Sequence, residues 1–156
     1  PADVAQPFSV LPASPRRNTV LVGATYTLPD GQSLTAEYLR DNNGYTTAQE
    51  ASYFSRAASS PLLAGQALAI APRLLGRDYL HLVWQSNLME SEGYWRMMYT
   101  RSLTDGGGEL GGYGETTLST RISGFFAVAV TSGTPRQEVS SLFSRSVTLG
   151  VKVALH

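Results

Sequence analysis

The chain has 156 residues, of which 42% are apolar and only 15% charged, with twelve basic and twelve acidic side chains in balance. That balance provides no net field to draw the chain to nucleic acid or an acidic substrate, and the absence of cysteine removes disulfides, thiolate nucleophiles and zinc–thiolate sites together. No apolar run reaches the roughly 18 residues of a membrane-spanning helix; barrel strands, however, need only about 9–11 residues and alternate in polarity, in keeping with a mean hydropathy of -0.10.

Residues 1–17 contain Pro7, Pro12 and Pro15, which interrupt strand pairing, and they read as an irregular loop or linker ahead of a strand-rich region over 18–156. The start at Pro1, without a leader, points to a processed precursor or to a segment of a longer protein. From Asn18 to Leu28, Val20, Val22, Ala24, Tyr26 and Leu28 share one face, and Thr19, Gly23, Thr25 and Thr27 share the other. This period of two predicts a strand. Pro29, Asp30 and Gly31 predict a tight turn, and Ser33 to Asp41 returns with Leu34, Ala36 and Tyr38 opposite Thr35, Glu37 and Asp41.

Thr47 and Glu50 have capping-box spacing ahead of Tyr53, Phe54, Ala57 and Ala58, which predicts a short helix over Thr47–Ala58 inside a long loop. Pro61 to Leu75 reads either as a strand through Leu68 and Ile70 or as a second helix, with Pro72 opposing both. Strand character returns at Asp78, with Leu80, Leu82 and Trp84 opposite His81 and Gln85, and again where Trp95, Met97 and Tyr99 alternate with Arg96, Met98 and Thr100. The glycine-rich stretch Thr104–Gly114 reads as a turn. One long strand is expected through Leu118, Ile122, Phe126 and Val130, and a last one over Phe143–His156, where Val147, Leu149, Val151 and Val153 alternate with Ser146, Thr148, Gly150 and Lys152.

The reading is therefore all-β: six or seven antiparallel strands in up-and-down order, with one loop helix. If Pro61–Leu75 is a strand, the short turns near Pro29, Gly76 and Gly106 fall on one side and the longer loops near Tyr53, Glu90 and Arg136 on the other, as in transmembrane barrels. Alternation is the same for a soluble barrel or sandwich that binds a small hydrophobic ligand. Three features favour a transmembrane barrel: a non-apolar face of Thr, Ser, Gly and Ala rather than Lys and Glu, long strands in the second half, and aromatics near strand ends.

On that reading Glu37, His81, Arg96, Arg121 and Lys152 face the lumen, while Arg40 and Arg145 have the parity of the lipid-facing set near the loop ends. Asp78, His81 and Ser86 suggest a hydrolase triad, but Asp78 and Ser86 have the opposite parity to His81, and no catalytic residue is assigned. Gly106, Gly108 and Gly111 match G-x-G-x-x-G without the helix that a dinucleotide site needs, and no cofactor or metal is expected.

The closing segment Val147-Thr148-Leu149-Gly150-Val151-Lys152-Val153-Ala154-Leu155-His156 resembles the last strand of Gram-negative outer-membrane β-barrel proteins, and the hairpin from Thr19 to Tyr38 resembles barrel hairpins of the same group. The final residue departs from the group's usual Phe or Trp. The resemblance implies location in the bacterial outer membrane, insertion by the barrel-assembly machinery, and contact of Arg40 and Arg145 with lipopolysaccharide. It further implies a passive channel or transport barrel, or else a structural barrel that meets a partner through its loops. An odd strand count points to the C-terminal portion of a larger barrel, to completion by another chain, or to an eighth strand from Phe8–Leu11.

Overall fold

The computed structural model describes residues 18–57, 59, 74–87, 93–135, 137–140 and 144–154. Strands β1 (Thr19–Thr27), β2 (Ser33–Asp41), β3 (Asp78–Gln85), β4 (Gly93–Ser102), β5 (Gly108–Ser119), β6 (Ile122–Ser132) and β7 (Arg145–Val153) form one antiparallel sheet in the order β1 to β7, and helix α1 (Thr47–Ala57) lies between β2 and β3. Each strand pairs with its neighbours in sequence, so the fold is an up-and-down sheet. Among the described residues β1 and β7 are its two edges, and they do not pair with each other.

The register brings the apolar rows into line. Tyr26, Leu34, Trp84, Met97, Gly112, Val128 and Val147 are successive cross-strand neighbours, and the adjoining row runs through Ala24, Ala36, Leu82, Tyr99, Leu110, Val130 and Arg145. The row through Arg145 meets β1 at Ala24, inside Val22 and Val20, so the strand ends are staggered in one direction, as inclined strands require. Two aromatic rings cover glycines in the sheet, one on each face. A Cβ on Gly114 would collide with the Phe126 ring on the apolar face, and one on Gly150 would collide with the Phe125 ring on the polar face. These glycines let the rings lie flat on neighbouring backbone, which fixes register where β5 and β7 lack a side chain.

Several expectations need correction. The strand expected through Leu118 and Val130 is two strands, because Thr120 and Arg121 form a turn between β5 and β6, with a register shift between Thr117 and Ser119. A two-residue turn keeps Leu118 and Ile122 in phase, which hides it in the sequence. Only the first part of the glycine-rich stretch is a turn: Gly106 has φ 81°, and β5 begins at Gly108. Consequently the turn near Gly106 lies at the same end as α1 and Glu138, and Ser86 and Asn87, which follow β3, lie at the end of the Pro29 turn. These are called the loop end (42–57, 74–77, 103–107, 133–135, 137–140, 144) and the turn end (28–32, 86–87, 120–121). The expectations for Pro1–Arg17, for Phe8–Leu11 and for most of Pro61–Leu75 fall outside the described residues, as does His156; Leu74 and Leu75 belong to no strand or helix.

Candidate functional site

The apolar face is the exposed one. Leu149 is 77% exposed, Val151 63% and Phe126 47%, and Val20, Val22, Leu34, Leu82, Met97, Leu110, Val128 and Val147 are exposed on the same face. On β2, Leu34, Ala36 and Arg40 are exposed while Thr35, Glu37 and Asp41 are partly buried; β6 alternates in the same sense, with Ala127, Ala129 and Thr131 less exposed than Phe126, Val128 and Val130. On these interior strands the side chains of the polar face shield one another, whereas the edge strands β1 and β7 are exposed on both faces.

The exposed face is banded. Its charged residues, Arg40, Asp78, Arg101 and Arg145, each occupy the outermost such position of a strand at the loop end. Arg40 pairs with Asp78 at 3.5 Å, the Tyr38 hydroxyl donates to Asp78 Oδ1 (2.5 Å), and Arg101 donates to the Tyr99 hydroxyl (3.4 Å). Toward the turn end stand Tyr26, Trp84 and Trp95. The two indoles meet edge to face at 4.9 Å, and Trp84 Nε1 donates to Gln32 Oε1 (2.8 Å). Arg40 and Arg145 thus lie at one end, and Arg101 stands with them.

The polar face holds four of the five residues expected there. Glu37 is aligned with Gly23 and His81, and His81 Nδ1 is 2.8 Å from Thr100 Oγ1. Arg96 lies between Gln85 and Tyr113, with its Nε buried and without a hydrogen-bond partner among the described residues, beside a groove of about 470 Å³ that Glu109, Tyr113, Ser146 and Thr148 also line. Lys152 Nζ contacts Glu115 Oε2 at 2.6 Å and the Tyr113 hydroxyl at 3.2 Å, and sits 5.5 Å from the centre of the Phe125 ring. Arg121 is the exception: it lies in the exposed β5–β6 turn, where its carbonyl accepts the Ala154 N–H, and not on a strand face. Asp78 is on the face opposite His81, and Ser86 Oγ accepts the Trp95 N–H, so the three do not converge.

Sequence reasoning missed a knot of buried polar groups at the loop end. Thr46 and Gln49 form the capping box of α1: Gln49 Oε1 accepts the Thr46 N–H (2.8 Å) and Thr46 Oγ1 accepts the Gln49 N–H (3.4 Å). The sequence had assigned that role to Thr47 and Glu50. Thr47 Oγ1 instead donates to the Thr104 carbonyl (2.6 Å), and Glu50, released from capping, turns inward and is 1% exposed. Leu75 N–H donates to Glu138 Oε1 (2.8 Å), the Tyr79 hydroxyl donates to Glu138 Oε2, and Glu138 N–H donates to Asp105 Oδ2 (2.7 Å). Thr104 Oγ1 accepts the N–H groups of Arg77 (2.8 Å) and Asp78 (3.1 Å). The connections β2–β3, β4–β5 and β6–β7 are thereby tied over Tyr79 and Ser102, a cross-strand pair buried at the loop end of the polar face.

Desolvation pushes the Glu50 carboxyl up to about 8, reinforced by the nearby Asp105 and Glu138. Burial also raises the Glu138 carboxyl, against the opposing pull of Tyr79, Leu75 and Gly76 as donors. Among the described residues no group of His, Asp and Glu has the geometry of a metal site. Family models, curated proteins and solved structures were compared with the chain, and none matches.

Proposed function

We propose that this chain is part of a bacterial outer-membrane β-barrel, with its banded apolar face against lipid and its polar face lining a passive path for small solutes or ions. The observation that carries the reading is the inverted exposure on the interior strands: Leu34, Leu82, Trp84, Phe126, Val128 and Val130 are exposed, while Thr35, Glu37, His81, Ala127, Ala129 and Thr131 on the other face are the more shielded. A soluble sheet buries its apolar face, and an uncovered apolar surface of this extent marks contact with lipid or protein. The bands add support. Trp and Tyr rings near strand ends suit a membrane interface, and charges restricted to one rim avoid the costly middle of the bilayer.

An unpaired strand edge is not viable in hydrocarbon, so β1 and β7 require further strands, from the rest of a longer barrel or from another chain. At the rim, Arg40, Arg101 and Arg145 would meet phosphates of lipopolysaccharide, since guanidinium groups pair well with phosphate oxygens. Insertion would depend on the barrel-assembly machinery. Along the polar face the Lys152–Glu115 pair, Arg96 and the His81–Thr100 pair would set ion preference. A structural barrel that meets a partner through its loops is the second reading, favoured by the hydrogen bonds that join described residues of three connections at the loop end.

Liposome conductance tests the first reading. The folded chain, with whatever strands complete it, should conduct, and Lys152→Glu should shift selectivity toward cations. Silent liposomes with correctly inserted protein would favour the binding role, and a chain that stays monomeric in buffer without detergent would contradict both.

A further inference from the structure

The knot at the loop end contains one group that hydrogen bonding does not explain. Glu50 is 1% exposed, and neither carboxyl oxygen has a hydrogen-bond partner among the described residues. Among the described residues the charged groups that face it from other elements are Asp105, between β4 and β5, and Glu138, between β6 and β7, both acidic. From β3 comes the Tyr79 hydroxyl, already engaged with Glu138 and with the Gly76 N–H. Arg77 directs its Nε to the Gly44 carbonyl (2.9 Å). Gly76 leaves no spare room, because a Cβ there would lie 2.8 Å from both Glu50 Oε1 and the Tyr79 hydroxyl oxygen. Among the described residues an ionised Glu50 would therefore stand desolvated and unpaired beside two like charges, whereas a neutral carboxyl fits.

We propose that Glu50 is a proton-operated clasp: with its carboxyl protonated, the three connections stay tied across the loop end of the polar face, and loss of that proton releases them. Only a proton moves; it passes to solvent as the cap opens. The direction follows from linkage. The carboxyl is held near 8 when the cap is closed and returns to about 4.5 when it is open to water. The preference for the closed cap is thus complete below about pH 4.5, falls about tenfold per pH unit above it, and is exhausted above about pH 8. The inference concerns the loops alone, so it stands or fails separately from the lipid and transport readings.

Hydrogen exchange of the folded full chain tests it, with rates corrected for the intrinsic pH dependence of amide exchange. The N–H groups of Leu75, Gly76 and Glu138, which donate within the knot, should lose protection about tenfold per unit between roughly pH 5 and pH 8 and then level off, while those of Gly112 and Ala127 in the sheet hold theirs. In Glu50→Gln the knot's protection should be flat over that range. Asp105→Asn keeps an oxygen acceptor for one of the two N–H groups that Asp105 serves, those of Glu138 and Gly107, but removes one of the two facing anions, so its levelling point should move to lower pH. Unchanged wild-type slopes in Glu50→Gln would overturn the clasp, as would flat wild-type protection. If Glu50→Gln does not fold, an unshifted levelling point in Asp105→Asn overturns it.

Discussion

Val128→Arg probes the lipid reading at its most exacting point. Strand β6 has 11 residues, which at about 3.4 Å each, inclined by about 40°, rise roughly 28 Å, close to the ~25 Å apolar band of a transmembrane barrel. Val128 lies well inside both ends, in an interior strand, facing the same side as Gly112 and Val147. An arginine there should cost about 2–4 kcal/mol in a bilayer. Val130→Arg, one outward-facing step nearer the loop end and level with Arg145, should cost about 1 kcal/mol or less. In water both positions are exposed surface, and each change would fall within about 0.5 kcal/mol of zero. The assay is reversible urea unfolding in phospholipid vesicles, followed through Trp84 and Trp95. Equal costs at the two positions, or a negligible cost at Val128, would refute the reasoning.

Gly150→Val drives a side chain into the Phe125 ring and should destabilise the fold by about 1–3 kcal/mol, read as a lower urea midpoint; Phe125→Leu in the same chain should restore part of the loss. Glu138→Ala removes the acceptor of both the part-buried Leu75 N–H and the buried Tyr79 hydroxyl, at roughly 1–3 kcal/mol for the buried hydroxyl left without an acceptor, and exchange should rise at Leu75 but not at the centre of β6. Raising pH from 5 to 8 should loosen the loop end selectively, because the Glu50 carboxyl binds its proton more tightly in the closed cap than in water; protease nicking of the connections, compared at matched protease activity, checks this.

The two faces of the sheet were legible because apolar residues mark alternate positions in β1, β2, β3, β6 and β7, and the turn at Pro29–Gly31 punctuates the first hairpin. The first half of β5 was not, since Gly112 and Gly114 occupy apolar-face positions whose cover is supplied by Val128 and Phe126 from the next strand. Pairing, rather than local composition, makes that segment a strand. The turn at Thr120–Arg121 escaped notice because it preserves the alternation on both sides, and Arg121 was misplaced with it. Glu37, His81, Arg96 and Lys152 were legible by parity alone. The knot was not, because its members are far apart in sequence and Glu50 has the spacing of a capping residue; only the competing Thr46–Gln49 box, one position earlier, hinted that Glu50 was available for another role.

The direction in which the apolar face looks can be measured with a single pair of neighbours, since the chain has no cysteine of its own. Thr148→Cys and Leu149→Cys sit side by side on β7, on opposite faces. After insertion into vesicles, a water-soluble maleimide should modify the cysteine at 148 readily and leave that at 149 protected, with protection lost on transfer to urea. Rapid modification at 149 together with slow modification at 148, in folded protein, would contradict the account.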